Sequence, residues 1–153
     1  MYRIDDDLKE FLESGVAILV GSADEQGHPQ LAQGWGPMVA ADRVHMSVFL
    51  DTARAHRTLA NLRATRNVAV TFASPISYRS VQIKGHFLDT ATPNATERDW
   101  VQHHRHAFLT ATALIGDPLA GSRNLWMDDV IRLDFSVDRA FNQTPGPEAG
   151  NPL

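Results

Sequence analysis

Strand-forming segments recur along this chain, and turn residues or helical segments separate them. The strand candidates lie at residues 16–20, 30–39, 43–50, 68–72, 78–89 and 129–138. Apolar residues at helical spacing indicate helices near residues 5–14, 52–63 and 92–115. Short strands joined by turns are typical of antiparallel sheets, in which each strand buries one face. We therefore predict a mainly β fold with flanking helices, built as an antiparallel barrel.

Capping residues and glycines predict further details of this fold. Thr52 is placed as the N-cap of a helix that ends near Arg63, and Thr92 as the N-cap of a helix with Pro93 at its first position. The run Gly-Trp-Gly-Pro at residues 34–37 interrupts the second strand. Glycine and proline inside a strand indicate a local irregularity, so we expect a β-bulge there.

The chain length of 153 residues favours one compact domain, and no repeat or linker divides it. We treat residues 1–153 as a single domain in which residues 140–153 form an extended tail. The prolines at 145 and 147 exclude a helix or a central strand in that tail.

Composition excludes several classes of function. The net charge of −4 argues against a nucleic-acid partner, because such binding needs a basic surface. The absence of cysteine excludes disulfides, thiolate metal sites and a cysteine nucleophile. No apolar run approaches the roughly 20 residues that a membrane helix needs, and the first residues lack a signal-peptide pattern. We expect a cytoplasmic protein without a membrane partner.

Cationic and hydroxyl side chains gather at the predicted start of the second helix. They are Thr52, Arg54, His56, Arg57 and Thr58. The start of a helix offers unpaired N–H groups and a partial positive charge, so anions bind there. Arginine forks bind phosphate at two points, and hydroxyls satisfy the remaining oxygens. The pattern indicates a phosphate site; the alternative is a solvated helix end whose arginines face water.

Polar and apolar side chains alternate along the strand at residues 78–89. A period of two places Ser80, Gln82, Lys84 and His86 on one face. Taken alone, such a face indicates a surface in contact with solvent. Beside the basic helix start, it could instead line a polar pocket.

The order of these segments resembles that of the pyridoxamine 5′-phosphate oxidase-like family, whose members are FMN-binding split β-barrels. The resemblance is carried by residues 52–62, by Asn67-Val68-Ala69-Val70 and by Tyr78-Arg79-Ser80-Val81-Gln82-Ile83-Lys84-Gly85. The run at residues 141–150 is similar to the tail of some small members. The resemblance implies a six-stranded antiparallel split β-barrel, and a homodimer that holds FMN at the interface between its subunits.

The resemblance also implies cofactor-binding residues. Thr52 matches a threonine that opens the helix loop of the oxidase. His56, Arg57 and Thr58 fall on the oxidase's Ser-Arg-Lys run, of which only Arg57 is retained. Arg54 and Lys84 could supply the missing charge by a different route.

On the strand at 78–89, Arg79-Ser80-Val81 stands where the oxidase has Arg-Gln-Val. Ser80 thus replaces a glutamine that contacts the flavin, and Gln82 lies on the same face as a further candidate. The family places aromatic residues of the second subunit near the flavin ring, which makes Trp126 a candidate as well.

The oxidase's C-terminal substrate motif, an Arg-Leu-His-Asp-Arg type run, is absent from this chain. We therefore predict an FMN-dependent oxidoreductase with a different small-molecule substrate or electron donor, with no metal and no catalytic residue that can be named. The alternatives are a flavin- or haem-carrying sensor or store, a deazaflavin-dependent reductase, and a barrel without a cofactor. His103 and His106, three residues apart on a helix, could bind haem iron or zinc, although the residues favour a polar helix face.

Overall fold

The computed structural model describes residues 1–117 and 129–153. Seven strands and three helices occur in these ranges. In chain order they are α1 (Asp6–Leu12), β1 (Ala17–Ala23), β2 (Pro29–Val39), β3 (His45–Asp51), α2 (His56–Thr65), β4 (Asn67–Ala73), β5 (Ser80–Ala91), α3 (Ala95–Leu114), β6 (Val130–Ser136) and β7 (Arg139–Asn142).

Six of the strands close into an antiparallel barrel, which confirms the predicted fold class. The strand order is β4-β1-β2-β3-β6-β5, and β4 pairs with β5 to complete the ring. Strand β5 has three partners, because β4 and β7 flank its first half and β6 pairs with its second half. The extra strand β7 was not predicted; it forms where the tail was expected to begin, and Phe141 in it also pairs with Pro152.

The barrel interior is filled mainly by alternate side chains of β1, β3, β4, β5 and β6. Each of the following strand residues is at most 2% exposed: Ile18, Val20, Met46, Val48, Val70, Phe72, Val81, Ile83, Leu133 and Phe135. Helix α2 lies on β1 and β2 and adds Leu59 and Leu62 to the same core. Burial of each large apolar side chain contributes about 1.5–3 kcal/mol, so this interior is the main source of stability.

Helix α3 covers a second, smaller apolar cluster outside the barrel. Trp35 and Phe49 pack there against Val101 of the helix. The predicted bulge is present, since the β2–β3 register shifts between Trp35 and Met38. Gly36 inside the bulge has a φ of 54°, a left-handed conformation that glycine adopts without strain.

The predicted N-cap Thr92 is wrong, and Asn94 has this role in α3. The Asn94 side chain accepts a hydrogen bond from the backbone N–H of Glu97, and the Glu97 side chain accepts one from the N–H of Asn94. This reciprocal pair satisfies two N–H groups at once, which a threonine before Pro93 does not achieve.

The predicted N-cap Thr52 is also wrong, because α2 begins four residues later. The backbone N–H of Thr52 donates to the carbonyl oxygen of Asp129 at 3.1 Å, which keeps Thr52 beside the start of β6. The Asp51 carboxylate accepts the N–H of Ala53 at 3.0 Å, and this turn delays the helix. Ala55 therefore precedes the first helical residue, and it offers no capping side chain.

Candidate functional site

The start of α2 lacks the side-chain cap that the other two described helices have. Asp5 caps α1 and Asn94 caps α3, each through a side-chain oxygen. At α2, no side chain bonds the first turn, and that turn contains no acidic residue. The partial positive charge of this helix end is therefore not offset by the chain itself within the described residues.

Basic side chains surround this uncapped helix end. His56 and Arg57 occupy the first two helical positions and are exposed. Arg57 forms no ion pair within residues 1–117 and 129–153. Arg54 is 70% exposed, and its Nε lies 3.5 Å from a carboxylate oxygen of Asp51. An exposed pair of this kind contributes little, so the Arg54 guanidinium stays accessible to an anion.

The Thr58 hydroxyl is the most informative group of this site. Thr58 is 0% exposed, and its Oγ1 has no hydrogen-bond partner in the described part of the chain. A buried hydroxyl without a partner costs about 1–3 kcal/mol, so nearly all such groups in proteins are bonded. Because Thr58 has no exposed surface, a ligand at the start of α2 contacts this hydroxyl only if the first turn of the helix shifts.

The predicted polar face of β5 is present on the outside of the barrel. Val81, Ile83 and Gly85 point inward and are buried, which leaves Ser80, Gln82, Lys84 and His86 on the outer face. The Ser80 hydroxyl donates to the Tyr78 carbonyl oxygen at 3.0 Å, and the Gln82 amide donates to the Thr71 hydroxyl at 3.2 Å. The amide oxygen of Gln82 accepts no hydrogen bond within the described residues.

Lys84 lies apart from the predicted site residues at the start of α2. It lines a cavity of about 550 Å³ together with Ser22 and Ala23 of β1. The second half of α2 hydrogen-bonds to these two residues, because the Asn61 amide donates to the Ser22 hydroxyl and the Thr65 hydroxyl donates to the Ala23 carbonyl oxygen. No hydrogen bond or ion pair in the described residues joins Lys84 to the start of α2. The predicted residue Trp126 lies outside the described residues.

Sequence reasoning missed Arg139, which lines the same cavity as Lys84. Its only signal was the alternation Arg139-Ala140-Phe141 after the last predicted strand, where Ala140 is buried and Arg139 is exposed. That alternation was too short to predict β7, so its pairing with β5 could not be foreseen.

The histidines at positions 103, 104 and 106 of α3 lie in different environments, since His104 is buried and the other two are exposed. His104 is buried and joins two segments, because its Nδ1 accepts the N–H of Gly36 at 3.1 Å and its Nε2 donates to the Val16 carbonyl oxygen at 3.0 Å. The pKa of His104 is lowered to about 4, mainly by burial and in addition by the nearby His103. His103 instead stacks on Trp100, with ring centroids 5.4 Å apart.

Neither metal geometry nor a membrane helix is found in the described residues. No group of three or more histidine or acidic side chains there could hold a metal ion. No helix in residues 1–117 and 129–153 is long and apolar enough to cross a membrane.

The closed six-stranded antiparallel barrel and its flanking helices define the class of the fold as a split β-barrel. The comparison with solved structures confirms this class. HupZ of Group A Streptococcus matches with a TM-score of 0.58 and 15% identity over 96% of this chain and 99% of that one. A putative pyridoxamine 5′-phosphate oxidase from Lactobacillus delbrueckii matches with a TM-score of 0.56 and 12% identity. The match covers 91% of this chain and 93% of that one. An FMN-binding protein from Syntrophomonas wolfei matches with a TM-score of 0.52 and 12% identity. The match covers 90% of this chain and 87% of that one.

An F420 reductase also has this fold. No protein-family model and no curated protein matches the sequence. At these identities the likeness concerns the fold, and it confirms the predicted resemblance to pyridoxamine 5′-phosphate oxidase-like proteins at that level.

Proposed function

We propose that this chain is a flavin-binding protein that holds the phosphate of FMN at the start of α2. The observation that carries the proposal is the uncapped first turn of α2, which contains no acidic residue and presents the exposed Arg57. A phosphate oxygen is an acceptor for the N–H groups of this turn and for the Arg57 guanidinium. The flavin-binding proteins that share the fold support the same choice of ligand.

The predicted residues have distinct roles in this proposal. Arg57 contributes a charged two-point contact, Thr58 a hydroxyl, and Arg54 and His56 further positive charge or N–H donors. Thr52, exposed in the turn before the helix, offers a second hydroxyl at the rim.

The outer face of β5 is the proposed support for the flavin ring. Ser80 and Gln82 offer hydrogen bonds there, and Trp126 is the proposed aromatic contact from the second subunit of a homodimer. That Lys84 contacts the phosphate stays a prediction. Bound FMN supplies hydride or electron transfer, and this makes an oxidoreductase with a small-molecule substrate or electron donor the proposed activity.

A deazaflavin-dependent reductase is the second candidate, because an F420 reductase has the same fold. The absorption spectrum of the purified protein, followed by mass identification of the extracted cofactor, separates the two. Light scattering tests the homodimer, whose mass would be twice the 16.9 kDa of one chain.

We expect Arg57→Ala to weaken FMN binding about 10- to 150-fold, the effect of losing a charge-assisted hydrogen bond worth about 1.5–3 kcal/mol. Fluorescence titration of the apo-protein with FMN measures this change. Arg63→Ala is the matched control, since Arg63 lies in the last turn of the same helix. Riboflavin lacks the phosphate, so its affinity should be equal in the wild type and in both variants. Equal FMN affinities for the Arg57 and Arg63 variants would contradict the phosphate site.

We expect Thr58→Val to stabilise the apo-protein and to weaken FMN binding. Valine keeps the branched shape of threonine, but it removes a buried hydroxyl whose lack of a partner costs about 1–3 kcal/mol. Urea unfolding of apo-protein should show a gain of about 1 kcal/mol, while FMN titration should show a loss of affinity. A stability loss with unchanged FMN affinity would mean that the hydroxyl has a structural partner instead.

A further inference from the structure

A cavity on the outer face of the barrel lies away from the start of α2. It has a volume of about 550 Å³, within the range of small-molecule sites. Its walls come from β1, β2, β4, β5 and the segment that leads into β7. Gly21, Leu31, Val68 and Ala69 form the apolar part of these walls.

Two like charges lie side by side at this cavity. Lys84 of β5 and Arg139 of β7 are direct partners in the antiparallel register, and both line the cavity. Both cations also lie near the Phe141 ring, with centroid distances of 5.1 Å for Lys84 Nζ and 5.8 Å for the Arg139 guanidinium carbon. Like charges directly opposite each other on a sheet are destabilising.

One carboxylate, that of Asp138, lines the cavity together with this pair of charges and offsets part of their charge. Both of its oxygens are hydrogen-bonded to other groups. One oxygen accepts the Ser136 hydroxyl at 2.9 Å, and the other lies 2.5 Å from Nδ1 of His86. Neither Lys84 nor Arg139 forms an ion pair within residues 1–117 and 129–153. An anion placed between them would relieve their repulsion.

We propose that this cavity binds a small organic anion with an apolar body. Its negative head group lies between Lys84 and Arg139, and the guanidinium fork binds two oxygens of the head group. Its apolar body contacts Leu31 and Ala69. Carboxylates and phosphate monoesters share this chemistry. The cavity lies away from the start of α2, and binding of the anion does not require bound FMN.

The experiment uses three probes with the same ring and different head groups: benzoate, phenyl phosphate and neutral benzyl alcohol. Amide shifts of Gly21, Gly85 and Arg139 in ¹⁵N-labelled protein report binding by NMR. We expect at least one anion to bind saturably at these amides, and benzyl alcohol to bind about tenfold more weakly or less. The better anion identifies the head group. No saturable shift with either anion, or equal affinity for benzyl alcohol, would overturn the proposal.

Variants assign the binding to the cavity. We expect Lys84→Met and Arg139→Met each to raise the Kd of the better anion about tenfold, with Arg63→Met as the control that does not change it. Gly21→Val should abolish binding, because the valine side chain would occupy part of the cavity next to Leu31 and Ala69. A Cβ at Gly21 would lie 3.4 Å from the Ala69 carbonyl oxygen and 3.7 Å from Leu31 Cδ2, which are ordinary contact distances. Anion affinities unchanged by these substitutions would overturn the proposal.

FMN titration of Arg139→Met and light scattering of Gly21→Val complete the test. Unchanged FMN affinity and unchanged mass support a separate site. Weakened FMN binding in Arg139→Met would overturn the separate site while leaving the flavin proposal intact, and a change of mass in Gly21→Val would identify the cavity as a subunit contact instead. Failure of the FMN site would appear with Arg57→Ala and would leave the anion titrations unaffected.

Discussion

Replacing Gly85 with alanine is expected to destabilise the barrel by about 4 kcal/mol or more, or to prevent folding altogether. A Cβ at Gly85 would overlap the carbonyl oxygen of Ser136, far inside any van der Waals contact. This oxygen belongs to the backbone of the neighbouring strand, so no side-chain rotation can relieve the overlap. The added methyl group would force β5 and β6 apart just before Phe87, where their pairing begins.

Urea unfolding followed by circular dichroism measures this loss, with Gly21→Ala as the matched control. Gly21 also lies in a barrel strand, but an added Cβ there would be no closer than 3.4 Å to its neighbours. The control should stay within about 1 kcal/mol of the wild type. If the Gly85 variant unfolded at the same urea concentration as this control, the close β5–β6 approach would be wrong.

The second large effect is expected at His104, whose replacement should reduce the loss of stability between pH 7 and pH 4.5. Its two ring nitrogens connect the Gly36 N–H to the Val16 carbonyl oxygen, so the neutral form with a proton on Nε2 fits the site. A second proton on Nδ1 would face the Gly36 N–H. Burial is the main cause that lowers the pKa of His104 to about 4.

The direction of the pH effect follows from the unfolded state, in which this histidine has a pKa near 6.5. Below that pH the unfolded chain takes up a proton and the folded chain does not, so acid favours unfolding. The stabilisation is therefore complete above about pH 6.5 and is lost as the pH falls towards about 4. The pKa difference corresponds to about 3 kcal/mol.

Urea unfolding at pH 7 and pH 4.5 tests this expectation in the wild type, in His104→Gln and in the control His106→Gln. His106 lies on the same helix and is exposed. The His104 variant should be less stable at pH 7, because Gly36 and Val16 lose their shared partner, and it should lose less stability in acid. The His106 variant should follow the wild type. Parallel losses of stability in all three proteins would rule out His104 as the group that takes up the proton.

The barrel could be predicted from the sequence because its strands keep a regular alternation. On β5, Val81 and Ile83 point inward and Gln82 and Lys84 outward, as a period of two requires. Helix starts were harder to predict, since several residues near each end can cap. Asn94 was preferred to Thr92 because Glu97 completes a reciprocal bond, and Thr52 was displaced by a contact with Asp129 that is remote in sequence.

The candidate site was predictable to a similar extent. The basic and hydroxyl residues at the start of α2 follow each other in the chain, so their proximity needed no tertiary information. The pairing of Lys84 with Arg139 depends on β7, a four-residue strand that exists because β5 offers it an edge. Likewise, the missing partner of the Thr58 hydroxyl is a property of the packed interior that no local pattern encodes.

The position of β6 determines the order in which this protein can assemble. Strands β1 to β5 are joined in space without it, as a curved sheet with β3 and β5 at its two margins. β6 comes last of the six barrel strands along the chain. It follows α3 in the sequence and pairs with both edge strands, β3 and β5. Until it arrives, two rows of backbone groups remain available to other chains. A nascent or partly denatured molecule is therefore most prone to aggregation at β3 and β5, and delayed docking of β6 would lengthen that exposure.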